Sequence, residues 1–307
     1  MDLMVIGSAN IDLVVSLPKI PKNGETVLGG NFLEVFGGKG ANQAMAGHRA
    51  GGDIGFICKL GNDRYGNDLQ SYFTKTGLPQ EFFLKDNHTP TGIAQIFVSE
   101  KGDNAIGVAS GANMTLSPAD LAPFIPIIST AKVLLMQLEI PLETVTYAAE
   151  LALKNGVKVI LNPAPAKDLT EALCKNLWLL TPNKVEAEFL GETPITNLTE
   201  AETAAQNIRA KGIENVLITL GDQGCLLHTE NLTKHYPTFP VAAVDTTAAG
   251  DVFNGALAQG ITQGWCLAEA IPFAMAAAAL STTKLGAQTS IPSLGEIERF
   301  LEQQPAH

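Results

Sequence analysis

Two acids, Asp245 and Asp251, stand six residues apart in the stretch DTTAAGDVFNG, separated only by small or hydroxylated side chains. Beyond them, apolar residues at Val252, Phe253, Ala256, Leu257 and Ile261 follow a helical period, which predicts that Asp251 sits in the first turn of a helix. A carboxylate there has two possible uses. It can cap free N–H groups and offset the positive end of the helix, the commoner role for an acid so placed. It can also serve as a general base, taking the proton of a hydroxyl brought within hydrogen-bond reach as that oxygen forms a new bond.

A second loop with room for chemistry is FGGKGANQAMAGHRAG, residues 36–51, where Gly37, Gly38 and Gly40 lead into a helix predicted to start near Lys39. It is not a Walker A loop. Gly40 follows the lysine where that motif needs Ser or Thr, and position 33 is Leu where it needs Gly. No GxGxxG follows the first apolar run either, which argues against a nicotinamide enzyme. From these residues alone, a plain glycine turn and a ligand loop stay equally open.

Composition removes several classes. With 307 residues, 46% hydrophobic and 17% charged, the chain is globular and long enough for a large core. A net charge of −11 without any Lys/Arg cluster excludes a nucleic-acid surface, although a small anion held by local cations remains possible. Cys58, Cys174, Cys225 and Cys266 are too scattered for a zinc or dithiol site, and His48, His88, His228, His235 and His307 lack metal-ligand spacing. The opening run has no basic region or cleavage pattern, so a cytoplasmic protein is expected. No apolar stretch approaches a membrane span.

The elements that must position these loops alternate in type. KVLLMQL (132–138), a helical pattern over 141–156 and VKVILN (157–162) make one strand–helix–strand unit, and LWLLTPN (177–183), a helix over 199–212 and NVLITLG (215–221) repeat it. IGFICKLG (54–61) and a helix over 65–76 come earlier. The almost wholly apolar strands predict an α/β fold of three layers, with a mostly parallel, doubly wound sheet. Ligands in such sheets lie at the carboxyl ends of strands. Those ends carry Asn10, Gln137 and Glu139, Asn162, Thr181 and Asn183, and Thr219 and Gly221, so polar residues gather where the fold puts a site. Segments of about 11–36 and 92–109 alternate with period two instead, the second turning at Gly102-Asp-Asn, and predict a small β-sheet lid inserted in a single domain spanning 1–307. The lid strands are also expected to pair two copies as a homodimer.

GGKGANQA and DTTAAGDVFNGA together resemble the two signatures of the ribokinase family of carbohydrate kinases, and NPAPA, TPNKVEAE, TLGDQG and GAQTS fit the same pattern. The resemblance runs from Gly7 to the C-terminal helix. It implies ATP-dependent phosphorylation of D-ribose at O5. The alternatives are a related kinase for 2-deoxyribose, another sugar or a nucleoside, or a sugar-binding regulator that has lost catalysis.

The resemblance also implies roles. Asp251 is the general base, and Ala248, Ala249 and Gly250 form an anion hole at the helix N-terminus. Asn10, Asp12, Gly38, Lys39, Asn42 and Glu139 bind the sugar, with Asn10 and Asp12 facing the 2- and 3-hydroxyls. Asn183, Glu186, Thr219, Gly221, Gly224, Gly250 and Met275 bind ATP, with Asn183 and Glu186 organising Mg2+ and phosphate; Met275 matches a position where a histidine also occurs, near the adenine. Asp245, Thr247, Ser281, Lys284, Gly286 and Ser290 hold a monovalent cation, expected to be K+, mostly through carbonyls. An inward-turned Lys284 ammonium would replace that ion.

Overall fold

The computed structural model describes residues 1–304; His307 lies outside them. The strands are β1 (Leu3–Ile6), β2 (Asn10–Leu17), β3 (Phe32–Gly37), β4 (Ile54–Gly61), β5 (Phe83–Asp86), β6 (Gly92–Ser99), β7 (Asn104–Ala109), β8 (Val133–Met136), β9 (Lys158–Leu161), β10 (Leu179–Leu180), β11 (Asn215–Thr219), β12 (Cys225–His228) and β13 (Thr233–Tyr236). Nine form one sheet in the order β13-β12-β11-β10-β9-β8-β1-β4-β5, parallel from β11 to β5, with β12 and β13 antiparallel at one edge. The predicted three-layer, doubly wound architecture is present.

β1 sits inside the sheet between β4 and β8, and its side chains divide between the two faces. Leu3 and Val5 join the core beneath helices Lys39–Arg49, Ala249–Thr262 and Leu267–Thr282, and Met4 and Ile6 join the one beneath Leu142–Lys154 and Leu198–Arg209. Helix Ala249–Thr262 is buried all round from Asp251 to Thr262, which suits its Val, Phe, Ala, Gly and Leu content, while its buried Asn254, Gln259 and Thr262 are hydrogen-bonded. That burial fixes Asp251 rigidly.

The small sheet has the order β3-β2-β6-β7, with β2 and β6 parallel at its centre. It grows from the carboxyl end of β1, and residues 18–31 of the first segment form no strand. The strand read at 177–183 is also shorter, only Leu179–Leu180. Pro182 has no N–H to donate, and Asn183 turns to cap the next helix.

Candidate active site

The helix bearing Asp251 opens on Ala248, whose φ of 60° lies in the left-handed region and costs a non-glycine residue about 1 kcal/mol. No side chain caps this end. The N–H groups of Gly250 and Asp251 therefore have no acceptor among the described residues and face an open cavity of about 850 Å3, which both residues line together with Ala248 and Ala249. A Cβ built on Gly250 would meet nothing, so packing does not demand glycine there; its smallness leaves the amides accessible.

The Asp251 carboxylate is held by amides on the neighbouring helix. Asn42 Nδ2 donates to Oδ2 at 3.0 Å, and Gln43 Nε2 donates to Oδ1 at 3.0 Å. Gln43 also donates to Asn162 Oδ1 at 3.1 Å and accepts from Gln137 Nε2 at 2.6 Å, and Asn162 donates to the Thr181 carbonyl at 3.0 Å. The polar strand ends thus brace the acid. The helix comes this close because its first turn lies on backbone: Gly38 has φ 92° with Ala9 and Asn10 2.8 Å from any Cβ, and a Cβ on Gly40 would lie 2.5 Å from the Ser8 nitrogen.

Of the residues expected to bind the sugar, Asn42 bonds to Asp251, Asp12 and Lys39 lie within charge range of Asp251 and Glu139, and Gly38 lies against the backbone of Ala9 and Asn10. Glu139 Oε2 accepts from the Lys39 amide at 3.1 Å and from the Ser8 hydroxyl at 2.5 Å. Asn10 Oδ1 accepts from Asn113 Nδ2 at 2.7 Å, while Asn113 also exchanges bonds with the Ala9 backbone. Asn113, Ser8 and Gln43 were not singled out as site residues. Burial, with the charges of Glu139 and then Asp251, pushes the Asp12 carboxyl from its usual 3.8 up to about 7. Lys39 is raised above its usual range chiefly by Asp251, against the effect of burial and with help from Glu139 and Glu186.

The Asp12 shift sets a pH dependence of stability. Between pH 3.8 and about 7 the unfolded carboxyl has released its proton while the folded one keeps it, so stability falls as pH rises through that window. Asp12→Asn should therefore melt above the wild type at pH 8 and lose that advantage toward pH 4. Parallel melting curves across the range would show that Asp12 does not titrate in this way.

Lys39 also lines the large cavity, together with Asn183, Glu186, Thr219, Gly221, Gly224 and Met275. Asn183 and Glu186 form a reciprocal cap: the Glu186 amide donates to Asn183 Oδ1 at 2.9 Å and the Asn183 amide to Glu186 Oε2 at 2.8 Å. Glu186 is buried, and that burial raises its pKa against the Asn183 bond and the Lys39 charge, with Asp251 adding to the rise. Met275 packs against Cys225, Sγ to Sδ 3.7 Å, in the cavity wall.

Of the residues expected at a monovalent cation, Asp245, Thr247 and Gly286 are directly joined. Asp245 Oδ1 accepts from the Thr247 amide at 2.9 Å and hydroxyl at 2.6 Å, and Oδ2 from the Gly286 amide at 2.8 Å. Burial alone would raise the Asp245 carboxyl, but these bonds outweigh it and hold it low. The Ser281 and Ser290 hydroxyls donate to the Ala278 and Ala287 carbonyls, one helical turn back in their own segments. The Lys284 ammonium is engaged with Glu296 at 2.9 Å, not with Asp245, which removes the reading of it as an internal substitute for the ion.

A buried carboxylate beside open helix amides, at the wall of a cleft large enough for a nucleotide, is an arrangement suited to a phosphotransferase with an alcohol as acceptor. The family model for pfkB family carbohydrate kinases matches residues 1–294, and the chain belongs to that family. It is 43% identical over 300 residues to the ribokinase of Haemophilus influenzae, covering 98% of each chain, and 35% identical over 302 residues to the deoxyribokinase of Salmonella typhi, covering 98% of this chain and 99% of that one. The structure of Arabidopsis thaliana ribokinase complexed with ribose and ATP superposes with a TM-score of 0.91 at 30% identity, covering 98% and 99% of the two chains.

Proposed function

We propose that the chain transfers a phosphoryl group from ATP to O5 of D-ribose, giving ribose 5-phosphate and ADP. One observation carries this reading: the Asp251 carboxylate bonds to Asn42, lies within charge range of Asp12, Lys39 and Glu186, and lines the cleft that Asn183, Glu186 and Gly224 share. In this reading Asp251 takes the O5 proton as the oxygen bonds to phosphorus, and the Gly250 and Asp251 amides receive the charge that develops on the transferred group. Asn10, its carbonyl occupied by Asn113, offers its Nδ2 to the sugar's 2-hydroxyl beside Asp12. ATP as donor suits a cytoplasmic enzyme.

Mg2+ travels with ATP in this reading. Among the described residues no group of three His, Cys, Asp or Glu could cage a metal, which fits an ion carried mainly by phosphate and water with Glu186 and Asn183 nearby. When bound, it neutralises phosphate charge; the protein's part is to hold the phosphates in line with the acceptor oxygen. The joined Asp245, Thr247 and Gly286 suit a monovalent ion shaping the helix end. Potassium should then raise turnover several-fold over sodium or a bulky ammonium salt at equal ionic strength, and indifference to the cation would remove the ion from the reading. Leu33 and Phe32 on β3 and Ile106 and Val108 on β7, exposed on the edge strands of the small sheet, suit pairing of two copies through the lid.

A second reading, 2-deoxyribose as acceptor, is favoured by the deoxyribokinase relative. An ADP-release assay with both sugars decides between them. A site that hydrogen-bonds a hydroxyl disfavours the analogue lacking it, although water filling the gap softens the loss, so kcat/KM should favour ribose by about ten- to a hundredfold. Asn10→Met should shrink that preference. A native preference for deoxyribose would move the assignment to that sugar, and an unchanged ratio in the variant would show that Asn10 does not read the hydroxyl.

A further inference from the structure

We infer that Gln43 positions the catalytic carboxylate: a one-directional chain of side-chain amides, Gln137 to Gln43 to Asp251, fixes how Asp251 is oriented. The inference rests on reading Asp251 as the base. Gln43 is fully buried and touches the reaction only through that acid.

The polarity of the chain is the argument. A carboxylate can only accept, so Gln43 must present its nitrogen to Asp251, and the second hydrogen of that nitrogen goes to the Asn162 carbonyl oxygen. Turning the amide over would set oxygen against oxygen at both partners. Its Oε1 therefore faces backward and needs a donor, which Gln137 Nε2 supplies at 2.6 Å. That commitment strands the last oxygen, because Gln137 Oε1 is buried with no partner.

A second arm repeats the pattern. Asn42 donates to the other oxygen of Asp251, accepts from Gln288 Nε2 at 3.1 Å, and leaves Gln288 Oε1 buried and unpaired. Among the described residues three buried side-chain oxygens lack a partner: these two and the Tyr236 hydroxyl. An orphaned buried acceptor is costly, and two of the three lie at the rear of chains aimed at one carboxylate. The backbone accommodates the first arm, since a Cβ on Gly7 would fall 2.0 Å from Gln137 Oε1.

Each arm occupies one lone pair on its oxygen and leaves the other for the acceptor hydroxyl. Donated hydrogen bonds also favour the anionic form of a carboxylate. That matters where the charged neighbours of Asp251 are Lys39 from its own helix layer, Asp12 from β2 and Glu186 at the start of helix Lys184–Gly191, with Glu139 beside Lys39 and Asp12: one cation among several acids.

The test uses Gln43→Met, which keeps the length and removes the donor, and the isosteric Gln43→Glu. Single-turnover phosphoryl transfer is followed against pH at saturating ribose, with thermal melts alongside. Gln43→Met should slow transfer at pH 7 by about tenfold, move the acid limb of the profile to higher pH, and, with ribose varied, change its KM by less than about threefold. Gln43→Glu should move the limb further, because two adjacent carboxyls share a proton. On an Asp251→Asn background Gln43→Met should cost less than about twofold, since its effect passes through the acid. If Gln43→Met does not fold, Gln43→Glu decides alone. An acid limb that stays in place in the folded variants, or losses that multiply fully in the double variant, would overturn the inference. An Asp251→Asn enzyme with native turnover would instead remove the base reading itself.

Discussion

Asp251→Asn should lower kcat by at least about a hundredfold while changing the ribose KM little. Asparagine keeps the shape of the side chain but cannot take a proton, and loss of a positioned base typically costs on the order of a hundred- to ten-thousandfold. The replacement also meets two donors: with Asn42 and Gln43 both presenting N–H groups to this position, its Nδ2 must face one of them. One amide arm then has to turn over, so a fall of a few degrees in Tm should accompany the loss of rate. Steady-state kinetics on protein shown to be folded by melting provides the check. Turnover near that of the parent would reduce Asp251 to a structural partner of Asn42 and Gln43.

Lys39→Met should have the second largest effect, a fall of about a hundred- to a thousandfold in kcat/KM for ATP. The Lys39 amide holds Glu139 through backbone and survives the change, so the variant isolates the ammonium. That ammonium lies among Asp251, Glu139 and Glu186, and without it the cleft offers mostly negative charge to an incoming polyphosphate. Removing a donor that stabilises charge developing in the transition state commonly costs a factor of this size. The loss should appear in kcat as well as in KM. A change confined to KM would mean that Lys39 attracts the nucleotide without stabilising transfer.

Much of this site could be read from the chain before its structure, for local reasons. The helical period after Asp251 places that acid in a first turn, whereas the glycines before Asn42 leave a plain turn and a ligand loop equally open until the Gly38 and Gly40 contacts show the backbone approach they permit. The polar residues at the ends of β8, β9 and β10 include Gln137, Asn162 and Thr181, which join through Gln43 to Asp251. Long-range partners left no such trace. Asn113 reaches Asn10 across 103 positions, Ser8 reaches Glu139 across 131, and Gln43 reaches Asp251 across 208, with no period or spacing to tie them. The overlong strand at 177–183 came from weighing an apolar run above Pro182. The Lys284 alternative failed because Glu296 lies in a separate helix whose approach no local pattern announces.

The distance in sequence between the acid and its amide donors also has a meaning in time. A ribosome adding about 5 to 20 residues per second makes residue 43 about 10 to 40 seconds before residue 251. The helix bearing Asn42 and Gln43 is thus translated long before its carboxylate, and the second arm waits longer still, because Gln288 lies 246 residues beyond Asn42. A nascent chain that already carries Asp12 and Asn42 therefore still lacks the acid beside them. A product interrupted before residue 251 lacks the carboxylate proposed as the base.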